Sequence, residues 1–247
     1  MIDPALDEAK QAAREKVWAL LERHDAVLSE AHGHIPNFVG KEAAADRLAE
    51  VTARRAATVI KANPDKAQLP VRVRALQEQK LLYVAVPRLA TLQPFYLLDP
   101  ADLPEPPEVA ATSDGARGIA LTIGVETMRA VDLIICGSVA VNHAGVRVGK
   151  GAGYSDIEVA LLAESGLIGQ ATTIVTTVHQ LQVVDEELPE TEHDFSVDLI
   201  VTPHEVIECG PPRRPSGIVL AHLDQQRAEK IPILRRILEE RLQGTEL

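Results

Sequence analysis

Val131-Asp-Leu-Ile-Ile-Cys136 is a short apolar run. Downstream lies Val146-Arg-Val-Gly-Lys-Gly-Ala-Gly-Tyr-Ser-Asp156, followed by a helical pattern through Val159 to Ala163. A strand, a glycine-rich loop and a helix in that order make half of a parallel crossover unit. Strands of similar type are predicted at Ala56-Ala-Thr-Val-Ile-Lys61, Leu81-Leu-Tyr-Val-Ala-Val86, Thr172 to Val178, Leu199-Ile-Val-Thr202 and Gly217-Ile-Val-Leu220. Runs that stay apolar, instead of alternating with polar residues, mark strands covered on both faces. The predicted fold class is therefore α/β: three layers, with a mainly parallel sheet between two sets of helices.

Working outward, Leu6, Ala9, Ala13, Val17, Leu20, Leu21 and Leu28 recur at helical spacing, which predicts a helix over about 5–28 with Asp3-Pro4 as its cap. His32-Gly-His-Ile-Pro-Asn-Phe-Val-Gly40 reads as a loop, and Lys41 to Arg54 as a second helix. Further helices are predicted over 69–78 and about 223–243, the latter interrupted by Pro232. Four prolines within 99–108 predict a surface connection. There is no internal repeat, and one domain over 1–247 is expected.

Of the 247 residues, 46% are hydrophobic and 25% charged, which suits a folded globular chain and excludes global disorder. No apolar run approaches the ~18 residues of a membrane span. The net charge of −11 argues against a nucleic-acid partner, since phosphate neutralisation needs basic patches. The N-terminal residues lack the charged and apolar regions of a secretory signal, and two cysteines, Cys136 and Cys209, make no disulfide framework. A cytoplasmic protein, monomeric or weakly self-associating, is expected.

The chemistry concentrates in the glycine loop. Gly149, Gly151 and Gly153 let backbone amides approach an anion without Cβ obstruction, and the following helix adds its positive end. Arg147 and Lys150 add two cations, so the loop suits a polyphosphate. It matches neither the P-loop nor the dinucleotide-binding spacing, and a plain strand-to-helix turn fits the glycines alone equally well.

The whole stretch from Val131 to Asn142 and from Gly145 to Asp156 resembles the signature of the 5-formyltetrahydrofolate cyclo-ligase family. Leu188-Pro-Glu-Thr-Glu-His-Asp194 and Val197-Asp-Leu-Ile-Val-Thr202 resemble its closing segment. Ile35-Pro-Asn-Phe-Val-Gly40, Lys61-Ala-Asn-Pro-Asp65 and Val86-Pro-Arg-Leu89 resemble the methenyltetrahydrofolate synthase domain-containing subgroup. The resemblance runs from about Lys10 to Leu238. It implies a Rossmann-like sheet of the kind shared with sugar-phosphate isomerases and CoA-transferases. It also implies an ATP- and Mg2+-dependent closure of 5-formyltetrahydrofolate to 5,10-methenyltetrahydrofolate, releasing ADP and phosphate. By the same resemblance Lys10 and Arg14, with Gly149, Gly151, Gly153 and Tyr154, would hold ATP. Arg147 and Lys150 would neutralise the transferring phosphoryl group, and Asp156 would face the magnesium ion.

Three positions depart from the family pattern. Ser155 stands where a second loop tyrosine is usual, Asn142 where an aspartate is usual, and Gln68 or Leu69 where a glutamate faces folate. Gln68 and Lys61 are the expected substrate-side residues, and Gln68→Glu with Ser155→Tyr is expected to improve a slow cyclisation. A nucleotide-binding relative without folate turnover is the alternative, and a sugar-phosphate isomerase type is a weaker third. Seven carboxylates between Asp185 and Asp198 read mainly as a solvated segment, with Asp194 and Asp198 bracing strands. His32 and His34 are too few for a zinc site and are expected to line a cleft. Trp18 is expected to anchor the core.

Overall fold

Residues on successive positions of the central strands face opposite cores. Ile134 and Cys136 join one apolar cluster while Leu133 and Ile135 join another, and Tyr83 and Ala85 alternate with Leu82 and Val84 in the same way. That period of two, with both faces apolar, is what a sheet sandwiched between helices requires. The computed structural model describes residues 4–219 and 229–244.

The strands are β1 (Val59–Ala62), β2 (Leu81–Ala85), β3 (Phe95–Leu98), β4 (Leu121–Ile123), β5 (Leu133–Cys136), β6 (Ala140–Asn142), β7 (Arg147–Val148), β8 (Thr173–Thr177), β9 (Val183–Val184), β10 (Leu199–Val201) and β11 (Val206–Glu208). Eight form one sheet in the order β11-β10-β8-β5-β1-β2-β3-β4, while β7-β6-β9 form a small second sheet. The five central strands β10-β8-β5-β1-β2 are parallel. Outside them β11 on one side, and β3 and then β4 on the other, pair antiparallel. The chain runs from β1 outward to β2 and later returns to the other side of β1 as β5. In such a sheet the crevice at the carboxyl ends of those strands is the usual ligand site.

The helices are α1 (Pro4–Arg23), α2 (Lys41–Glu50), α3 (Thr52–Ala56), α4 (Leu69–Gln77), α5 (Pro107–Ala110), α6 (Ser113–Ile119), α7 (Tyr154–Glu164) and α8 (Pro232–Gly244). Residues of α7 and α8 pack on one face of the large sheet, and those of α2, α4, α5 and α6 on the other. On α1, Val17, Trp18 and Leu21 pack against Val139, Ala140 and Val148 around the small sheet. Trp18 is a core anchor, and its Nε1 donates to the His34 carbonyl at 3.0 Å. No helix among the described residues is long and apolar enough to cross a membrane.

Several sequence expectations need correction. The first helix stops at Arg23, because Asp25 adopts a left-handed backbone (φ 50°), and Leu28 lies exposed beyond it. The helix expected over 41–54 is two, broken where Val51 turns extended (ψ 132°). Residues 217–219 form no strand; Leu220, the last residue of that predicted strand, lies outside the described residues, as do Asp3 and the 223–228 part of the last predicted helix. The last helical pattern is interrupted at Pro232 as expected: residues 229–230 are helical, 231 is a bend, and Pro232 opens α8, where its missing N–H costs nothing. The region 99–108 carries a single helical turn at Pro100–Asp102 and the start of α5.

Candidate active site

The glycine loop leaves β7 and ends at the N-terminus of α7. Gly151 (φ 94°) and Gly153 (φ 61°) both take the left-handed conformation that side chains resist. Arg14 lies against Gly151, where a Cβ would sit 3.4 Å from its guanidinium carbon in ordinary contact, so the positive φ and not crowding calls for glycine there. Arg14 donates from Nε to the Gly149 carbonyl at 2.7 Å, and burial pulls its pKa below the ordinary arginine value.

Arg147 is the hub. It is buried, and its Nη1 reaches Asp156 Oδ1 at 3.2 Å, Nη2 the Gly137 carbonyl at 3.1 Å and Nε the Ser138 hydroxyl at 3.3 Å. Its guanidinium carbon lies 4.6 Å from the centre of the Phe195 ring. The one side chain thereby joins the end of β5, the first turn of α7 and the closing segment. Burial pushes the Asp156 carboxyl up; Arg147 opposes that, and the neighbouring Asp194 charge adds to it.

Asp194 pairs with Lys10, Nζ to Oδ2 at 2.5 Å, and takes further hydrogen bonds from the Thr191 amide and hydroxyl. Burial acts to raise its pKa, but the Lys10 and Thr191 bonds outweigh that and hold it below the ordinary aspartate value. Asp194 is thus more than a strand brace: it faces the same cavity as Lys10, Arg14 and Asp156. Sequence reasoning had no signal for this, because the pairing with Lys10 spans 184 residues. Asp198 does brace structure, taking the Ile174 amide at 2.6 Å and pairing with Arg214.

Two spaces flank the loop. The first is lined by Lys10, Arg14, Gly151, Asp194 and an apolar side of Ile157, Ala160 and Ile218. The second is a cleft of about 1020 Å³, counting its open mouth, lined by Asn63, Asp65, Arg88, Lys150, Tyr154, Ser155 and Glu158. Arg147, Gly149, Gly153 and Asp156 line both. The cleft sits at the carboxyl ends of β1 and β2, beside the switch between β1 and β5. His34 lines an adjoining hollow with Lys66 and Lys150, whereas His32 pairs with Glu15.

Not every expected residue lies where the sequence suggests. Lys150 lines the cleft, not the first cavity, with its Nζ 3.5 Å from Asp65 Oδ1. Tyr154 also faces the cleft. Lys61 is fully buried behind the cleft, paired with Glu158 and 2.7 Å from Asn63 Oδ1. Burial pushes Glu158 up, against the opposing Lys61 charge. Asn63 donates to the Ser155 hydroxyl at 2.5 Å, so the serine ties the strand end to α7. Gln68 is fully buried, donates to the Thr177 carbonyl and hydroxyl at 3.2 and 3.1 Å, and lines none of these three spaces. Asn142 caps its own turn, accepting from the Ala144 and Val146 amides at 3.1 and 3.0 Å.

The sequence profile of the 5-formyltetrahydrofolate cyclo-ligase family matches residues 6–203. The chain is 38% identical to the mouse (Mus musculus) methenyltetrahydrofolate synthase domain-containing protein over 243 residues, covering 96% of this chain and 65% of that protein. The human (Homo sapiens) protein of the same name is 38% identical over 239 residues, covering 94% of this chain and 62% of that one. The chain therefore spans somewhat less than two thirds of the length of these relatives. An NMR structure of Aquifex aeolicus 5,10-methenyltetrahydrofolate synthetase shares the fold, with a TM-score of 0.53 at 24% identity over 87% of this chain and 99% of that one. With its loop, its α1 cations and its three-layer sheet in the arrangement described, the chain belongs to the 5-formyltetrahydrofolate cyclo-ligase family.

Proposed function

We propose that the protein is an ATP-dependent cyclo-ligase, with ATP in the cavity beside α1 and 5-formyltetrahydrofolate in the cleft beside β1 and β2. The observation that carries this reading is the shared wall, where Arg147, Gly149, Gly153 and Asp156 face both spaces. In-line phosphoryl transfer needs donor and acceptor fixed on opposite sides of one point, and positioning supplies most of the catalysis.

The formyl oxygen attacks the γ-phosphorus as the bond to ADP breaks. N10 then attacks the activated formyl carbon and loses its proton, and phosphate departs with the carbon–oxygen electrons, closing the ring to 5,10-methenyltetrahydrofolate. Lys10, Arg14 and the loop amides hold the phosphate chain, and Arg147 offsets charge where the γ-phosphoryl crosses the wall. Lys150 and Tyr154 face the acceptor side. Lys61 pairs with Glu158 at the edge of the cleft.

The residues fit a magnesium ion. Asp156 and Asp194 share the first cavity, the Asp194 charge adds to the cost of ionising Asp156, and Mg2+ takes one or two carboxylates together with phosphate oxygens and water. Among the described residues no three His, Cys, Asp or Glu converge, so the remaining ligands fall to nucleotide and water. When bound, the ion neutralises phosphate charge. The two cysteines are free thiols, which supports a reducing cytosol as the compartment.

A second reading, nucleotide binding without folate turnover, is favoured by Gln68: no carboxylate enters the cleft from that position. The absorbance of methenyltetrahydrofolate, followed with purified protein, 5-formyltetrahydrofolate, ATP and magnesium, separates the two. Product that depends on ATP supports the first reading; ATP binding with no product supports the second.

A further inference from the structure

The first cavity has two unlike ends. Lys10, Arg147 and Asp194 gather with Asp156 at the first turn of α7, and Arg14 joins them on the lining, whereas Gly217 and Ile218 lie by Glu164 at the far end of that helix and, with Ile157, Ala160 and Val219, bring apolar lining. The charged end suits a phosphate chain with its cation, and the apolar end suits a flat, weakly hydrated ring system. Residues 217–219 lie beyond the stretch 6–203 that matches the family.

This short segment belongs to no helix or strand, yet it is pinned at one peptide. The Ile218 amide donates to Glu164 Oε2 at 2.8 Å, and the Ile218 carbonyl accepts from Arg241 Nη1 at 3.2 Å. Arg241 Nη2 closes the ring by pairing with Glu164 Oε1 at 2.7 Å. The end of α7 and the last turns of α8 thus clasp Ile218 between them. Gly217 is part of the fit, since a Cβ there would meet Glu164 Oε2 at 2.9 Å. The ion pair itself is half-exposed and of little worth as a pair. Its use lies in satisfying both polar groups of a peptide whose Ile218 side chain is buried against α7 and α8.

We propose that the 217–219 strap is the base-binding wall of the nucleotide site: it takes the heterocyclic ring of a nucleoside triphosphate, while the glycine-loop end takes the phosphates. The strap deepens the ATP reading above and rests on it. Discrimination between a nucleotide and a bare phosphate chain then depends on Glu164 and Arg241, neither of which touches a phosphate.

The test is calorimetric titration of the full chain with magnesium ATP and, separately, with magnesium tripolyphosphate. The unmodified protein is expected to bind ATP more tightly than tripolyphosphate. In Arg241→Ala and Glu164→Gln, ATP affinity is expected to fall about 5- to 20-fold, the scale of one or two lost hydrogen bonds, with tripolyphosphate within about twofold of its original value. Ile218→Ala, which leaves the clasp in place but trims the wall, is expected to shift in the same direction. Equal losses for both ligands, or no loss for either, overturn the strap as base wall. An unmodified protein that binds tripolyphosphate as tightly as ATP also overturns it, but leaves the phosphate site intact. If neither ligand binds the unmodified protein, the ATP reading itself fails.

Discussion

Arg14 on the first helix donates from Nε to the carbonyl of Gly149, 135 residues away, at 2.7 Å. The glycine loop is therefore held from outside by a cation that also lines the cavity the loop encloses. Loop shape and phosphate charge depend on the same side chain. Arg14→Met is expected to weaken ATP binding about 10- to 100-fold, the range for a charged hydrogen bond. Arg14→Lys keeps charge but loses the Nε–H fork and should recover only part of the loss. Titration calorimetry reads both; full recovery by lysine contradicts the role given to the Gly149 bond.

Lys10 and Asp194 make a largely buried pair, and losing one partner leaves the other charge uncompensated. Lys10→Met is expected to cost about 3–5 kcal/mol of stability, and Lys10→Met with Asp194→Asn markedly less, because no orphan charge remains. The pH dependence follows from the sign of the Asp194 shift. Its folded pKa lies below the ordinary value of 3.8. Its contribution is therefore fully present above that value and is lost as the pH falls through the folded pKa. Urea unfolding of the wild type and Asp194→Asn should differ at pH 6 and converge toward pH 2. A gap that stays constant over that range contradicts the pairing.

The parallel core was legible because strands buried on both faces carry their apolar character openly. Leu133 to Cys136 could hardly be anything else. The antiparallel strands outside it were not: Phe95–Leu98 follows a proline-containing turn, and Leu121–Ile123 is too short and too exposed to show a pattern. The first helix was read too long because Leu28 sits in register with its apolar stripe, whereas the left-handed Asp25 that ends the helix has no sequence mark.

The site divides along the same line. Gly149, Gly151, Gly153, Arg147 and Asp156 lie within one short stretch and could be found together. Lys10 and Arg14 could be placed only by resemblance, since nothing local ties a helix near residue 10 to a loop near 150. Distance along the chain does not tell which wall a residue joins. In sequence Lys150 sits between Gly149 and Gly151 of the first cavity and Tyr154 directly follows Gly153, yet both face the second space.

That placement changes what Lys150 is expected to do. Lys150→Ala should lower kcat of cyclisation more than it weakens ATP binding, with the ATP dissociation constant moving less than in Arg14→Met. Steady-state rates beside ATP calorimetry check the split. A loss confined to ATP affinity returns Lys150 to the nucleotide side.

The buried Gln68 reverses an expectation drawn from the sequence. Gln68→Glu puts an ionisable group where the amide now donates to Thr177, in a site without water access, and should destabilise the fold by about 1–3 kcal/mol instead of improving turnover. Ser155→Tyr would also break the 2.5 Å bond from Asn63. Thermal unfolding and the cyclisation assay decide it: a stable Gln68→Glu protein with faster turnover would show that this position does reach the folate.

The central claim is that one wall, built around Arg147 and Asp156, stands between a nucleotide and a folate. The most direct measurement follows ADP release and methenyltetrahydrofolate absorbance in the same reaction, with 5-formyltetrahydrofolate, ATP and magnesium. The account predicts that the two products appear together, one for one, and that Asp156→Asn stops both. ADP formed without methenyltetrahydrofolate, or stable ATP binding with neither product, would contradict it.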